Sequence, residues 1–186
     1  GAVLGHPIAH SLSPVLHAKA FELLGIAGSY KAIEVRSGGL AEFLKSEGAN
    51  FDYLSLTMPL KEEVLVIAES SDIEIDELAL RIQSVNTLVR KGSGWIATST
   101  DGSGFIKALA NAGYDHFDSV LILGAGGTAR AVAGALDEHL RDVRVGAGDG
   151  VGLDREVHLG TEGQTPVVGD DDVNALATRH RDVVFV

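Results

Sequence analysis

The sequence predicts an α/β protein, because short apolar strands alternate with amphipathic helices along its length. The first observation behind this is Tyr53-Leu54-Ser55-Leu56-Thr57-Met58-Pro59-Leu60-Lys61. It reads as a short buried strand that must end near Thr57, since Pro59 cannot continue a ladder and biases Met58 to extended geometry. The second is Ser119-Val120-Leu121-Ile122-Leu123, a continuous apolar run suited to a parallel strand covered on both faces, followed at once by Gly124-Ala125-Gly126-Gly127-Thr128-Ala129. The third is size and composition: 186 residues, 45% hydrophobic and 22% charged, suffice for one domain or two small ones with a substantial core.

The bulk numbers also exclude function classes. With no cysteine, neither a disulfide framework nor a thiolate metal site is available. No apolar run approaches the ~18 residues of a membrane span. Gly1-Ala2-Val3-Leu4-Gly5 lacks the charged and long apolar regions of a secretion signal, so a cytoplasmic protein is expected. A net charge of −11 argues against nucleic acid, which needs a clustered basic surface. It leaves room for a small anion held by local hydroxyls, amides and one lysine.

Taken in order, Ala2-Val3-Leu4-Gly5 is the first strand, stopped by glycine. A loop of small and hydroxyl residues follows and leads into a helix from Pro14 to Leu24, with Ser13 as its cap and Gly25 as its stop. The helical spacing of its apolar residues predicts one buried face. Ser13 has two roles open to it, helix cap or, with Ser11, a pair of hydroxyls able to bind a carboxylate beside free amides and the helix dipole. His6, His10 and His17 invite a metal reading, but His6 and His10 lie in a proline-interrupted loop with no acidic or cysteine partner nearby, which argues against zinc.

Tyr30 to Val35 alternates like a strand, and Gly39 to Glu47 has helical periodicity closed by Gly48. After the strand at 53–56, Lys61 stands at a strand's carboxyl end, where open α/β sheets place ligands. It also opens a helix over Glu62 to Ala68, a position that disfavours a cation unless it has work to do; a solvated surface lysine is the alternative. Ser70 to Glu77 reads as an acidic solvated loop running into a helical turn at Leu78 to Ile82. Ser84 to Arg90 and Gly94 to Thr98 read as a hairpin around Lys91-Gly92-Ser93. A helix is expected from Phe105 to about Ala112.

The strand, glycine loop and helix at 119–136 form the context a dinucleotide fingerprint requires. Gly124 permits the tight turn, Gly126 lets backbone reach a pyrophosphate, and the helix amides point at it. Asp142 to Val145 is the next parallel strand, and Gly146 to Gly152 reads as a flexible connector in which Asp149 could touch a ribose. Asp182 to Val186 is a further buried strand.

Gly5-His6-Pro7-Ile8-Ala9-His10-Ser11-Leu12-Ser13-Pro14 with His17 resembles the opening signature of shikimate dehydrogenases. The resemblance continues, in order, through Leu56-Thr57-Met58-Pro59-Leu60-Lys61, Ser84-Val85-Asn86-Thr87-Leu88, Ser99-Thr100-Asp101-Gly102-Ser103-Gly104 and the glycine loop at 124–129, and covers roughly residues 1 to 140. It implies an N-terminal α/β/α substrate domain with a mainly parallel sheet over 1–103, and a Rossmann-type NADP domain over 104–186 that is incomplete. It implies that Ser11 and Ser13 hold the shikimate carboxylate, that Thr57, Asn86 and Asp101 contact ring hydroxyls, and that Lys61 and Asp101 form the catalytic pair. Gly124, Ala125, Gly126, Gly127 and Thr128 would hold the cofactor, with Glu77 an acid near it. Oxidising a secondary alcohol needs a hydride acceptor and a group to take the hydroxyl proton; a partly desolvated lysine can take it while an aspartate orients it.

The expected function is therefore NADP-linked interconversion of 3-dehydroshikimate and shikimate in aromatic amino-acid biosynthesis, as a monomer or homodimer with a small-molecule substrate and no metal. Three departures matter. Ser55 stands where the family usually has asparagine, Ser99 likewise precedes Thr100-Asp101, and no Asn-Arg-Thr block follows Val145 to read a 2′-phosphate. The last leaves NAD possible and makes an NAD-dependent quinate/shikimate dehydrogenase the alternative enzyme; a ligand-binding homologue without turnover is the alternative of another class.

Overall fold

The computed structural model describes residues 1–114, 120–123, 126–137, 143–147, 155–158 and 182–185. The chain forms two compact units, Gly1–Ser99 and Thr100–Val186.

The first unit is built on six strands: β1 (Ala2–Gly5), β2 (Lys31–Glu34), β3 (Tyr53–Leu56), β4 (Ile73–Ile75), β5 (Thr87–Lys91) and β6 (Gly94–Thr98). Their order in the sheet is β2-β1-β3-β5-β6-β4. β1 runs parallel to both β2 and β3, whereas β5 is antiparallel to β3 and β6, and β4 is parallel to β6. Four helices connect them: α1 (Ser13–Leu24), α2 (Leu40–Ser46), α3 (Leu60–Ile67) and α4 (Glu77–Ile82). Strand alternation sends Leu54 and Leu56 into the main core with Leu4, Leu40, Leu60, Val64 and Leu88, each at most 2% exposed. Burial of each such leucine or valine stabilises the fold by roughly 1.5–3 kcal/mol. The opposite face of the sheet holds a smaller cluster, Val3, Ile8 and Tyr30, with Phe21 and Tyr53 against it.

Local chemistry explains several joints. Gly25 ends α1 in the left-handed conformation, φ 65°. The Asp76 carboxylate caps α4, accepting the Ala79 N–H at 2.7 Å. α2 has no side-chain cap of its own; the Glu63 carboxylate, reaching across from α3, accepts the Gly38 and Leu40 N–H groups at 2.9 Å each. The Arg90 guanidinium donates to the carbonyls of Gly48, Phe51 and Ser93 and lies 3.7 Å above the Trp95 ring, which fastens the β5–β6 hairpin to the turn before β3.

The second unit contains α5 (Asp101–Asn111), β7 (Val120–Leu123), α6 (Gly127–Asp137), β8 (Val143–Ala147), β9 (Arg155–His158) and β10 (Asp182–Phe185). The sheet order is β10-β7-β8-β9, with β7 parallel to β10 and β8, and β9 antiparallel to β8. Val120, Ile122, Ala129, Val132, Ala133 and Leu136 form its core, with Phe105 and Ile106 packed against them. α5 lies close on α6: a Cβ on Gly102 would run into the Ala131 carbonyl and come within 2.8 Å of the Ala135 Cβ. Among the described residues, no helix is long and apolar enough to cross a membrane.

Several local expectations are corrected. Ser13 is the first helical residue of α1 and not its cap; Leu12 occupies the cap position, and the Ser13 N–H instead meets the Ser11 hydroxyl at 3.3 Å. The predicted buried face of α1 is absent: none of its twelve residues is buried, and Val15, Leu16, Leu23 and Leu24 are exposed. The acidic segment at 70–77 is not all loop, since Ile73-Glu74-Ile75 alternates and pairs with β6 as β4. α5 begins at Asp101, ahead of Phe105, and so brings Gly102 into the contact with α6. Gly146 and Ala147 of the expected connector extend β8, while Asp149 lies outside the described residues.

Candidate active site

The residues expected to meet substrate in the first unit stand at the carboxyl ends of β1 and β3, and backbone hydrogen bonds lace them together. The Thr57 N–H donates to the Leu4 carbonyl at 3.0 Å, so the residue after β3 is still held by β1. His6 N–H donates to the Met58 carbonyl at 2.9 Å, joining the two loops that leave these strands. The Leu60 N–H then turns back to the Thr57 carbonyl at 2.8 Å and starts α3, with Lys61 as its second residue. Both His6-Pro7 and Met58-Pro59 are cis in these loops.

Asn86 joins the same lattice through the antiparallel neighbour. Its carbonyl accepts the Leu56 N–H at 2.7 Å, its N–H donates to the Thr98 carbonyl at 3.2 Å, and the Val85 N–H donates to the Lys61 carbonyl at 2.9 Å. The parallel-to-antiparallel change at β3–β5 causes this, because the start of an antiparallel strand lies beside the end of its partner. The Thr87 hydroxyl donates to Asn86 Oδ1 at 2.8 Å and so orients the amide. Thr57, Lys61 and Asn86, each half-buried, are therefore brought together by backbone hydrogen bonds.

Gly5 sets how closely the loops approach. A Cβ there would collide with the Thr57 methyl and lie 2.8 Å from the Met58 carbonyl oxygen. Beyond it the chain turns, with the Ser11 N–H bonded to the Ile8 carbonyl at 3.0 Å, and delivers Ser11 and Ser13 to the start of α1. Beside this loop, the Arg36 guanidinium holds the Glu34 carboxyl below its usual range, with His6 at 3.3 Å adding to the effect.

The other expected residues lie on other elements. Asp101 opens α5 in the second unit and is half-buried. Glu77 is exposed in the first turn of α4. Gly126 precedes α6, and Gly127 and Thr128 form its first turn; Gly124 and Ala125 lie outside the described residues. Among the described residues, a Cβ on Gly126 would meet nothing within 4 Å. An open backbone at the start of an eleven-residue helix that follows a buried strand suits a pyrophosphate.

Sequence reasoning missed a polar contact beneath the first site. The Tyr30 hydroxyl donates to Ser55 Oγ at 2.7 Å, and burial raises the Tyr30 phenol above its ordinary value. The signal available was a serine in the middle of a buried strand, a group that needs a partner.

Residues 3–88 match the family description "Shikimate dehydrogenase substrate binding domain". A shikimate dehydrogenase (NADP(+)) of Thermus thermophilus is 44% identical over 137 residues, which are 74% of this chain and 51% of that protein. The crystal structure of shikimate 5-dehydrogenase from Thermus thermophilus in complex with NADP(H) and shikimate superimposes with a TM-score of 0.73 at 42% identity, covering 80% of this chain and 55% of that one. Shikimate 5-dehydrogenase from Listeria monocytogenes, in complex with shikimate and NAD, gives a TM-score of 0.70 at 29% identity over 80% of this chain and 51% of that one. The chain thus spans about half the length of the relatives it matches. Laced loops behind two parallel strands, a glycine-led helix after a buried strand and these matches lead to one conclusion: the chain belongs to the shikimate dehydrogenase family.

Proposed function

We propose that this chain carries the substrate-binding part, and the first part of the nucleotide-binding domain, of an NADP-linked shikimate dehydrogenase, which interconverts 3-dehydroshikimate and shikimate. The observation that carries the reading is the lattice joining Thr57, Lys61 and Asn86 at the carboxyl ends of β1 and β3, inside the segment that matches the family's substrate binding domain. Function divides near residue 103, with the shikimate site before it and the NADP site after it.

In this reading Ser11 and Ser13 hold the substrate carboxylate, and Thr57, Asn86 and Asp101 hold ring hydroxyls. Lys61 takes the proton from the reacting hydroxyl in the oxidative direction and returns it in the reductive one. Asp101 orients the lysine. Gly124, Ala125, Gly126, Gly127 and Thr128 hold the cofactor's phosphates, with Glu77 near it. Bound NADP supplies the hydride acceptor, or NADPH the donor. The protein is cytoplasmic and acts as a monomer or homodimer on a small molecule, without nucleic acid.

The absence of an Asn-Arg-Thr block after Val145, together with NAD in the Listeria structure, favours a second reading as an NAD-dependent quinate/shikimate dehydrogenase. The deciding experiment is formation of reduced cofactor from shikimate with NADP, then with NAD, and then from quinate. Turnover of shikimate with NADP is expected. Turnover of quinate with NAD would favour the second reading, and shikimate binding without turnover would mark a ligand-binding homologue.

A further inference from the structure

α1 carries Ser13 at its first position, yet it meets the sheet through few side chains. His17 and Phe21, one turn apart, face the cluster of Val3, Ile8 and Tyr30. His17 stacks flat on Tyr30, with ring centroids 3.8 Å apart and planes 5° apart. Its Nδ1 lies 2.9 Å from the Ser13 carbonyl oxygen, which can only accept, so this nitrogen bears the proton. At the other end of the stack, Tyr30 Oη donates to Ser55 Oγ. Tyr53 and Ser55 share one face of β3, and alternation puts Thr57 next on that face. A continuous path of contacts therefore runs from Ser13 through His17 and Tyr30 to the strand residue beneath Thr57.

We propose that His17 and Tyr30 are positioning residues of the carboxylate site, fixing the first turn of α1 over β3 so that Ser13 stays in register with Thr57. The proposal rests on the reading of Ser11 and Ser13 as carboxylate ligands. A purely structural role would not need the polar atoms: two phenylalanine rings would stack as well, but only this pair directs its donors to Ser13 and Ser55. Both polar groups point along the path rather than to solvent.

The test uses the full chain with His17→Phe and Tyr30→Phe, which keep the rings and remove the donors, and with Ser55→Ala, which breaks the Tyr30 bond from the other end. Calorimetry gives Kd for shikimate and for an analogue whose carboxylate is replaced by hydroxymethyl, and thermal melting reports folding. Each variant is expected to raise the shikimate Kd about three- to tenfold. The analogue should change by a smaller factor than shikimate, as hydrogen bonds from the serines to a neutral hydroxyl are weaker than those to a carboxylate. Ser13→Ala should show the same selectivity. If Ser13→Ala weakens shikimate selectively but the ring variants weaken both ligands equally, or neither, the positioning role is wrong and the serine reading survives. If Ser11→Ala and Ser13→Ala cause no selective loss, the serine reading fails and takes the positioning role with it.

Discussion

Lys61 and Ser13 both follow strands of the same sheet, yet the chain holds them in different ways. Lys61 sits between Leu60 and Val64, both fully buried, and its carbonyl is bonded to Val85. Ser13 opens a helix with no buried residue, attached through the His17–Tyr30 ring stack and through Phe21 packed against Val3, Ile8 and Tyr30. The groups proposed for proton transfer are thus mounted on the core, and those proposed for the carboxylate on an element with few buried contacts. Catalytic geometry demands placement within a fraction of an ångström, which burial in the core supplies for Lys61. Elements with little buried apolar contact open locally at low cost, so placement of Ser13 depends on the few contacts that α1 makes, the His17–Tyr30 stack first among them.

The largest expected effect tests the rigid half. Lys61→Ala should lower shikimate turnover by on the order of 10²–10⁴ while circular dichroism and melting show an intact fold. Near-normal turnover would remove Lys61 from the chemistry. Next comes the contrast in anchoring itself. Leu4→Ala, in the fully buried β1, should cost about 2–5 kcal/mol in urea unfolding, and Leu16→Ala on α1 no more than about 0.5 kcal/mol. Comparable losses would mean that α1 is held far more firmly than its exposure indicates.

Gly5→Ala is a smaller and more local disturbance. The new methyl meets the Thr57 methyl and the Met58 carbonyl, neither of which is the end of a long side chain, so a cost of roughly 1–3 kcal/mol is expected. Shikimate affinity should fall with it; an unchanged Kd would separate Thr57 from the ligand. The smallest effect is alkaline. Burial raises the Tyr30 and Tyr53 phenols above 10.0, so above that pH the unfolded chain releases protons that the folded chain keeps. Stability from this source is complete below about pH 10 and declines as pH rises further. Urea melts between about pH 8 and 11 should show the decline, shallower in Tyr30→Phe; an equal slope would place the proton release elsewhere.

Much of the fold was legible because burial writes directly into strand composition. Val3 and Leu4, Leu54 and Leu56, and Val120 and Ile122 are apolar because they are buried among apolar side chains. Gly25 and Gly92 were legible as chain reversals because the left-handed conformation there suits glycine, φ 65° and 60°. β4 was not, since three residues in an acidic setting reveal no partner, and that partner, β6, lies beyond a helix and another strand. The exposure of α1 was not legible either: helical periodicity reports an apolar stripe, not whether anything covers it. Within the site, Thr57, Lys61 and Asn86 were named from motifs, but their mutual bonds were invisible because they depend on β5 running antiparallel to β3. Tyr30 and Ser55, 25 residues apart, carry no local pattern that links them.

The direction of β5 also has a practical consequence for anyone building on this scaffold. Asn86 enters the strand at the site end, and the tip at Lys91-Gly92-Ser93 leaves it about 14 Å away, all three residues exposed. A peptide inserted after Gly92 would disturb only exposed side-chain contacts of the tip, Arg90–Ser93, Ser93–Asp72 and Lys91–Glu74, while Arg90 keeps its bonds to Gly48 and Phe51 and its place on Trp95. The hairpin tip is the natural port for an affinity tag or a fluorescent reporter that leaves the proposed substrate site untouched.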